Sequence, residues 1–218
     1  MNNMKMLFFA SFVVYCFGIS SVYSDTDQKI AHFNHANQIL EEIYPTFANT
    51  PLFLSKDKEF KNQLKEKVFN AISILEGDLP ELEDKVNYYY LLGVAYSMAH
   101  DLDVPQAWEK SVEYLSKTLK SRPDHVMARM ILAKNYMDSR MYDEAFEEYK
   151  VADAVEPNGT ALRLMATLKL QQNQPTEAIP LLRRYVEHNP QDQQMKRLLE
   201  DLEQGRNSYH AQWTPMKS

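Results

Sequence analysis

Three prolines in the second half of the chain, at Pro123, Pro157 and Pro190, each close a similar block of residues. They lie 34 and 33 residues apart. The residues that precede them at matching intervals are Ser111, Leu115 and Thr118, then Ala145, Tyr149 and Ala152, then Ala178, Leu182 and Tyr185. A period of this length is typical of stacked helical hairpins, because a single hairpin does not bury its apolar face alone. The pattern predicts a chain that presents a binding surface, and it leaves the ligand undetermined.

The upstream half of each block supports the repeat. The matching sets are Tyr89, Leu92, Gly93 and Tyr96, then Arg129, Leu132, Ala133 and Tyr136, and more weakly Leu162, Met165, Ala166 and Lys169. The small residues in these sets suit the close approach of two packed helices. Proline lacks an N–H group and its ring clashes with the preceding turn, so each of the three prolines is expected to end a helical unit.

At these positions the chain resembles the tetratricopeptide repeat family. The middle unit, Val126 to Gly159, carries the family's spacing most completely, while Val86 to His125 has about six extra residues near positions 100–105. The third unit, Gly159 to Asp192, has Lys169 where the family prefers an aromatic residue. The resemblance covers about half of the chain. It implies an all-α fold, a tetratricopeptide-type solenoid of helical hairpins with an N-terminal helical pair and a C-terminal capping helix.

Helical periodicity extends beyond the repeats on both sides. Apolar residues from Ile30 to Phe47 recur at helical steps, and a second series from Phe60 to Leu75 is expected to stop at Gly77 in a left-handed cap. An apolar stripe from Met195 to Leu202 indicates a capping helix. The predicted organisation is a signal peptide at 1–24, an N-terminal helical pair or diverged repeat at 25–85, a repeat domain with its capping helix at 86–204, and a flexible tail at 205–218.

The first 24 residues have the layout of a secretory signal peptide. A basic residue, Lys5, precedes an almost uncharged segment from Leu7 to Ser21, and small residues favour cleavage after Ser24. This segment is short for a spanning helix, which needs about 20 residues, although an uncleaved membrane anchor is the alternative. The only cysteine, Cys16, lies within it, so disulfides are not expected in the mature chain. We predict an exported protein, periplasmic or secreted and most readily in a bacterial envelope, with no membrane span after cleavage.

Composition and motifs argue against catalytic, metal-binding and nucleic-acid roles. The formal net charge is −6 and no cluster of Lys and Arg forms a stripe, which disfavours nucleic acid as a partner. His32 and His35 lie three residues apart on a predicted helix, but a zinc site needs three or four ligands and no third is evident nearby. No phosphate loop, nucleophile elbow or paired-carboxylate motif stands out. We therefore predict a non-enzyme with no catalytic residue, metal or cofactor.

The resemblance also places a binding face. In the family, partners often lie along the concave face lined by the first helix of each pair. The corresponding residues here are Tyr90, Val94, Met98, Met127, Met130, Lys134, Met137, Arg163, Thr167 and Leu170. Methionine has a flexible thioether chain that repacks around differing ligands, so the methionines predict an adaptable groove. The alternative is that they fill the core between helices. Some members grip a C-terminal carboxylate with lysine, asparagine and arginine, a set that this chain does not restore, although Lys134 and Arg163 could orient a peptide.

Three function classes follow from these observations. The first is a non-catalytic protein–protein interaction scaffold outside the cytoplasm, which binds a polypeptide segment in the concave Met-rich groove as part of an envelope assembly or secretion complex. The second is a membrane-anchored structural subunit that retains its N-terminal helix. The third is a helical metal-dependent enzyme, which the motifs support least. A protein or peptide partner is predicted, and its identity and the oligomeric state are left open.

Overall fold

The computed structural model describes residues 25–47, 57–82, 84–157 and 159–206. The predicted signal peptide and nearly all of the predicted tail lie outside these residues. Within them the chain forms helices and turns and no strand. The helices are α1 (25–47), α2 (Lys58–Asp78), α3 (Val86–Asp101), α4 (Ala107–Ser121), α5 (Val126–Asp138), α6 (Tyr142–Val155), α7 (Gly159–Gln171), α8 (Pro175–His188) and α9 (Gln193–Glu203).

The chain divides into two compact units, Met1–Val104 and Pro105–Ser218. The first contains α1 to α3 and the second contains α4 to α9. The domain limits expected from the sequence stay a prediction. The extra residues of the first repeat do not form one inserted loop. Several of them lengthen the helices: α3 has 16 residues against 13 in α5, and α4 has 15 against 14 in α6.

In the first unit, α1 is attached to α3 by an aromatic contact and a hydrogen bond. The ring centroids of Phe33 and Tyr88 lie 5.0 Å apart, and the Tyr88 hydroxyl donates to the backbone carbonyl of Lys29 at 3.0 Å. Burial raises the pKa of Tyr88 to about 12, with Asp78 acting in the same direction. The buried residues of α1 and α2 follow the helical period expected from the sequence: Ala36, Leu40, Ile43, Leu64, Val68, Ala71, Ile72 and Leu75.

The prediction that Gly77 caps α2 in a left-handed conformation is wrong. The helix runs through Gly77 to Asp78, and the N–H of Leu79 still bonds to the Leu75 carbonyl before a short 3₁₀ turn at Leu79–Glu81. A tertiary contact supports the longer helix, because the Asp78 carboxylate lies 3.1 Å from Nδ1 of His32 in α1. The helix therefore ends where a neighbouring helix holds its last residue.

In the second unit, consecutive helices pack against each other from α4 to α9. The small repeat residues Ala133, Ala145 and Ala166 are fully buried, which lets paired helices approach closely. α9 adds its apolar stripe to the same core, and its buried residues are Met195, Leu198, Leu199 and Leu202. The Asp192 side chain starts α9 by accepting the N–H of Met195 at 3.1 Å, an N-cap of the usual kind.

Four helices end in one shared backbone arrangement. After α3, α5, α7 and α9, the residue beyond the C-cap has a positive φ of 57° to 67°. These residues are Asp103, Arg140, Asn173 and Gly205. After α5, the N–H of Arg140 donates to the Met137 carbonyl at 3.0 Å, and the N–H of Met141 donates to the Tyr136 carbonyl at 2.9 Å. The same two bonds, which define a Schellman motif, close the other three helices. The repeat therefore appears in the backbone as well as in the sequence.

Candidate protein-binding face

The side chains predicted to bind a partner lie in both units. In the second unit, the first of them are on α5. Met127 is the most exposed, at 47%, whereas Met130 and Met137 are half-buried and pack against the core of the second unit. Lys134 lies between them in the sequence and is half-buried as well. The accessible predicted side chains of this unit are Met127, Met130, Lys134, Met137 and, from α7, Arg163, and we call this set the α5–α7 face.

The start of α5 is set by the interactions of two residues, His125 and Arg129. Nδ1 of His125 accepts the N–H of Ala128 at 3.3 Å and caps the helix. The Arg129 guanidinium donates to the Pro123 carbonyl at 2.8 Å and pairs with Glu148 of α6 at 2.6 Å. These contacts position the first turn of α5, which carries Met127.

Lys134 has an internal partner on its own helix. Its ammonium group lies 2.7 Å from the Asp138 carboxylate, one turn further along α5. Both side chains are about one-third exposed, so the pair lies at the surface. The positive charge of Lys134 is therefore paired with the Asp138 carboxylate within the protein.

α7 contributes one accessible side chain to the predicted set and buries two. Thr167 and Leu170 are buried, and the Thr167 hydroxyl donates to the backbone carbonyl of Arg163 at 2.9 Å. The Arg163 side chain is half-buried. Arg163 is thus the charged residue that α7 contributes to the α5–α7 face.

The electrostatic surroundings of Arg163 include a buried phenol from the core. Burial raises the pKa of Tyr149 well above its usual range, Asp138 acts in the same direction, and Arg163 opposes them. Arg163 also acts to lower the pKa of Asp192, although hydrogen bonds from the Met195 N–H and the Tyr185 hydroxyl have the larger effects. The guanidinium therefore lies in electrostatic reach of α6 and of the residue that caps α9.

In the first unit, the predicted binding positions are mostly buried. Val94 and Met98 of α3 are buried, so they contribute to packing rather than to an open surface. Tyr90 is half-buried, and burial raises the pKa of its phenol, with a smaller effect in the same direction from Tyr44 of α1. A role in binding for these three residues stays a prediction.

The two histidines considered as metal ligands, His32 and His35, have different surroundings. His32 faces the Asp78 carboxylate, whereas His35 is exposed one turn further along α1. Among the described residues, no group of three or more histidine, cysteine or acidic side chains could hold a metal ion. In the same part of the chain, no helix is both long and apolar enough to cross a membrane.

Sequence reasoning did not single out the exposed apolar residues of α6. Val151 and Val155 lie one turn apart, and Val155 is 45% exposed. The sequence pattern that could have predicted them is the four-residue spacing of the two valines, which lie outside the buried repeat positions Tyr149 and Ala152. They form a second exposed apolar surface, on a different helix from the methionines of α5.

The repeated helix pairs and their shared turns define a helical repeat protein. Residues 136–202 match the family model described as tetratricopeptide repeat. The predicted resemblance to the tetratricopeptide repeat family is therefore confirmed over residues 136–202.

Two solved structures support the fold. TTC0263, a thermophilic tetratricopeptide repeat protein from Thermus thermophilus, is 15% identical, with a TM-score of 0.52 over 81% of this chain and 99% of its own. MamA of AMB-1 is 18% identical, with a TM-score of 0.50 over 79% of this chain and 97% of its own. The predicted all-α fold with tetratricopeptide-type hairpins is confirmed by these similarities. A search of the curated proteins found no match.

Proposed function

We propose that this protein is a non-catalytic scaffold that binds a polypeptide segment along the α5–α7 face. The tetratricopeptide repeat fold is generally an interaction fold, and it supports protein partners for this chain. The observation that carries the proposal is Met127, which leaves almost half of an apolar side chain in solvent at the start of α5. Met130 and Met137 extend the same apolar surface along the helix.

The chemistry of this face suits an extended or helical segment with apolar anchors. Methionine side chains have three rotatable bonds and a polarizable sulfur, so they adapt to partner side chains of different shape. Met130 and Met137 already pack on the core, and a partner would cover the area that they still expose. Covering an apolar side chain completely stabilises a complex by about 1.5–3 kcal/mol relative to leaving it in water.

A matched pair of substitutions tests the proposal. Met127→Glu and Val155→Glu each add one carboxylate at a similarly exposed apolar site, at 47% and 45% exposure, on different helices. Affinity capture from the native envelope with the wild-type protein identifies the retained polypeptide. Met127→Glu should lose at least about tenfold in affinity for it, equal to about 1.4 kcal/mol, while Val155→Glu binds like wild type. Equal binding by both variants would remove the α5–α7 face from the proposal.

The proposed site of action is outside the cytoplasm, as a subunit of an envelope assembly or secretion complex. This part of the proposal rests on the sequence of residues 1–24, with Lys5 before an almost uncharged segment and small residues up to Ser24. The mass of the protein purified from its native cells tests it. A mass that corresponds to a chain starting at Asp25 supports export with cleavage, and a chain that retains the segment favours the membrane-anchored alternative.

A further inference from the structure

The strongest remaining observation in the second unit is a group of exposed apolar residues on α6. Val151 and Val155 are 37% and 45% exposed, and Ala154 is exposed as well. At 3.6 residues per turn, these three positions lie on one side of the helix, within about 100° of each other. We call this set the α6 strip. One exposed valine on a surface is ordinary, whereas adjacent apolar side chains on one helix face are typical of an interaction site.

The repeat itself shows that these positions do not require apolar side chains. The second helices α4, α6 and α8 are related by the same steps of 34 and 33 residues as the prolines that follow them. The residues at the positions of the α6 strip are Lys117, Lys120 and Ser121 in α4 and Arg184, Glu187 and His188 in α8. All six are polar, and each of them reaches solvent. Packing of the core therefore does not account for the apolar character of the α6 strip.

Charged residues of opposite sign lie at the two ends of the strip. Lys150 directly precedes Val151, Glu156 directly follows Val155, and both charged side chains are exposed. Lys150 pairs with Glu147 at 3.0 Å, but these side chains are 60% and 64% exposed. An ion pair so open to solvent contributes little and can exchange its members. The α6 strip therefore has a cation available at its N-terminal end and an anion at its C-terminal end.

This order of charges is self-complementary when two copies of α6 meet in antiparallel orientation. A two-fold axis at residue 153 brings Val151 of one copy to Val155 of the other, and the same axis brings Lys150 to Glu156. Parallel copies in register would instead place like charges beside each other. The small side chain of Ala154 allows the two helices to approach closely. One arrangement therefore satisfies the apolar and the ionic residues together.

We infer that the α6 strip is a self-association surface, through which two copies of this protein form an antiparallel contact with two-fold symmetry. The inference goes beyond the proposed function, because no residue of the strip belongs to the α5–α7 face. Two valines and one alanine from each copy are a smaller apolar area than a permanent dimer buries. We therefore expect a weak, reversible dimer whose population depends on the protein concentration.

Sedimentation equilibrium of the protein purified from its native cells measures this association, at concentrations from about 1 μM to about 500 μM. Wild type should change from monomer to dimer as the concentration rises. Val151→Lys combined with Val155→Ser introduces the residues that α4 has at these positions. This double variant should raise the dissociation constant at least about tenfold. Circular dichroism should show native helicity, because the repeat already accepts these residues in α4.

Charge reversal tests the antiparallel order of the contact. Lys150→Glu and Glu156→Lys should each weaken association, because each change places like charges together. An equimolar mixture of the two variants should form heterodimers about as tightly as wild type forms homodimers, since opposite charges then face each other at both ends. Lys120→Glu is the control, because it reverses an exposed charge on α4, outside the strip. It should associate like wild type.

Wild type that stays monomeric throughout this concentration range overturns the inference. So does unchanged association of the double valine variant, or a mixture of the two charge variants that associates no better than either variant alone. If Met127→Glu abolishes association and the double valine variant does not, the copies meet through the α5–α7 face and the inference fails. Capture of a polypeptide by the α5–α7 face is measured separately, so that either proposal can fail while the other stands.

Discussion

The ammonium group of Lys169 lies 4.7 Å from the centre of the Phe146 ring and 2.9 Å from the Glu177 carboxylate. Lys169 occupies the position in α7 where the repeat favours an aromatic residue, and it connects α6 to α8 through these two contacts. Its side chain is only 15% exposed, so its methylene groups are packed while the charge is paired. The third repeat thus replaces an aromatic contact with a cation–π contact.

Lys169→Ala should therefore destabilise the second unit by about 1 kcal/mol, because it removes the cation–π contact and the packing of the lysine stem. Urea unfolding followed by circular dichroism measures the change. Glu177→Gln is the control for the ion pair: the Glu177 side chain is 54% exposed, and its amide replacement still offers Lys169 an oxygen, so the midpoint should shift less than in Lys169→Ala. An unfolding midpoint of Lys169→Ala equal to that of wild type would show that the contact contributes nothing.

The left-handed turn after α5 predicts a stabilising substitution. Arg140 has a φ of 61°, which brings its Cβ close to a backbone carbonyl oxygen, and its side chain is exposed. Arg140→Gly should raise the free energy of unfolding by about 0.5–1 kcal/mol, because glycine adopts this conformation without a steric cost. Ser139→Gly, at the preceding residue with a φ of −86°, should give no such gain. A higher thermal midpoint for Ser139→Gly than for Arg140→Gly would contradict the prediction.

The N-cap of α5 predicts a pH dependence. Burial, with a smaller effect from Arg122, lowers the pKa of His125, and its Nδ1 caps the helix only when the ring is neutral there. Because the folded pKa lies below the unfolded value of about 6.5, the stabilisation is complete above that pH and is lost as the pH falls through the folded pKa.

The measurement is the urea midpoint of wild type and of His125→Asn at about pH 7 and about pH 5. Asparagine caps helices without titrating, so the variant should lose less stability on acidification than wild type does. Equal losses in the two proteins would show that other groups cause the pH dependence.

A buried polar contact between α4 and α5 predicts a non-additive pair of substitutions. Nδ2 of Asn135 donates to Oγ of Ser111 at 2.7 Å, and both residues are fully buried. Asn135→Leu should destabilise the second unit by about 1–3 kcal/mol, since the buried Ser111 hydroxyl loses this partner. The double variant Ser111→Ala with Asn135→Leu should lose less than the sum of the two single changes in urea unfolding. Strict additivity would show that the two side chains act independently.

Much of the fold follows from local pattern. Apolar residues at helical steps predicted α1, α2 and α9, and the small residues of the repeat predicted positions such as Ala133 and Ala166 that are fully buried. These predictions hold because helical periodicity and side-chain size are properties of each segment. The first residues of the two N-terminal series, Ile30 and Phe60, are nevertheless exposed, because in the part of the chain that the structure describes no other helix covers the start of either stripe. The one wrong helix end, at Gly77, lies where Asp78 contacts His32 from a distant part of the chain.

The candidate site was less predictable, because charge compensation depends on neighbours that are separated in the sequence. Lys134 and Arg163 looked equivalent as basic residues of first helices, yet only Lys134 finds a carboxylate, Asp138, within the described residues. The sequence alone determined the helical period, the repeat and the identity of the small core residues, since these are encoded residue by residue. Tertiary structure decided which methionines stay exposed, where Arg140 takes a left-handed turn, and which basic side chains find a carboxylate, because burial and pairing arise only when the helices pack together.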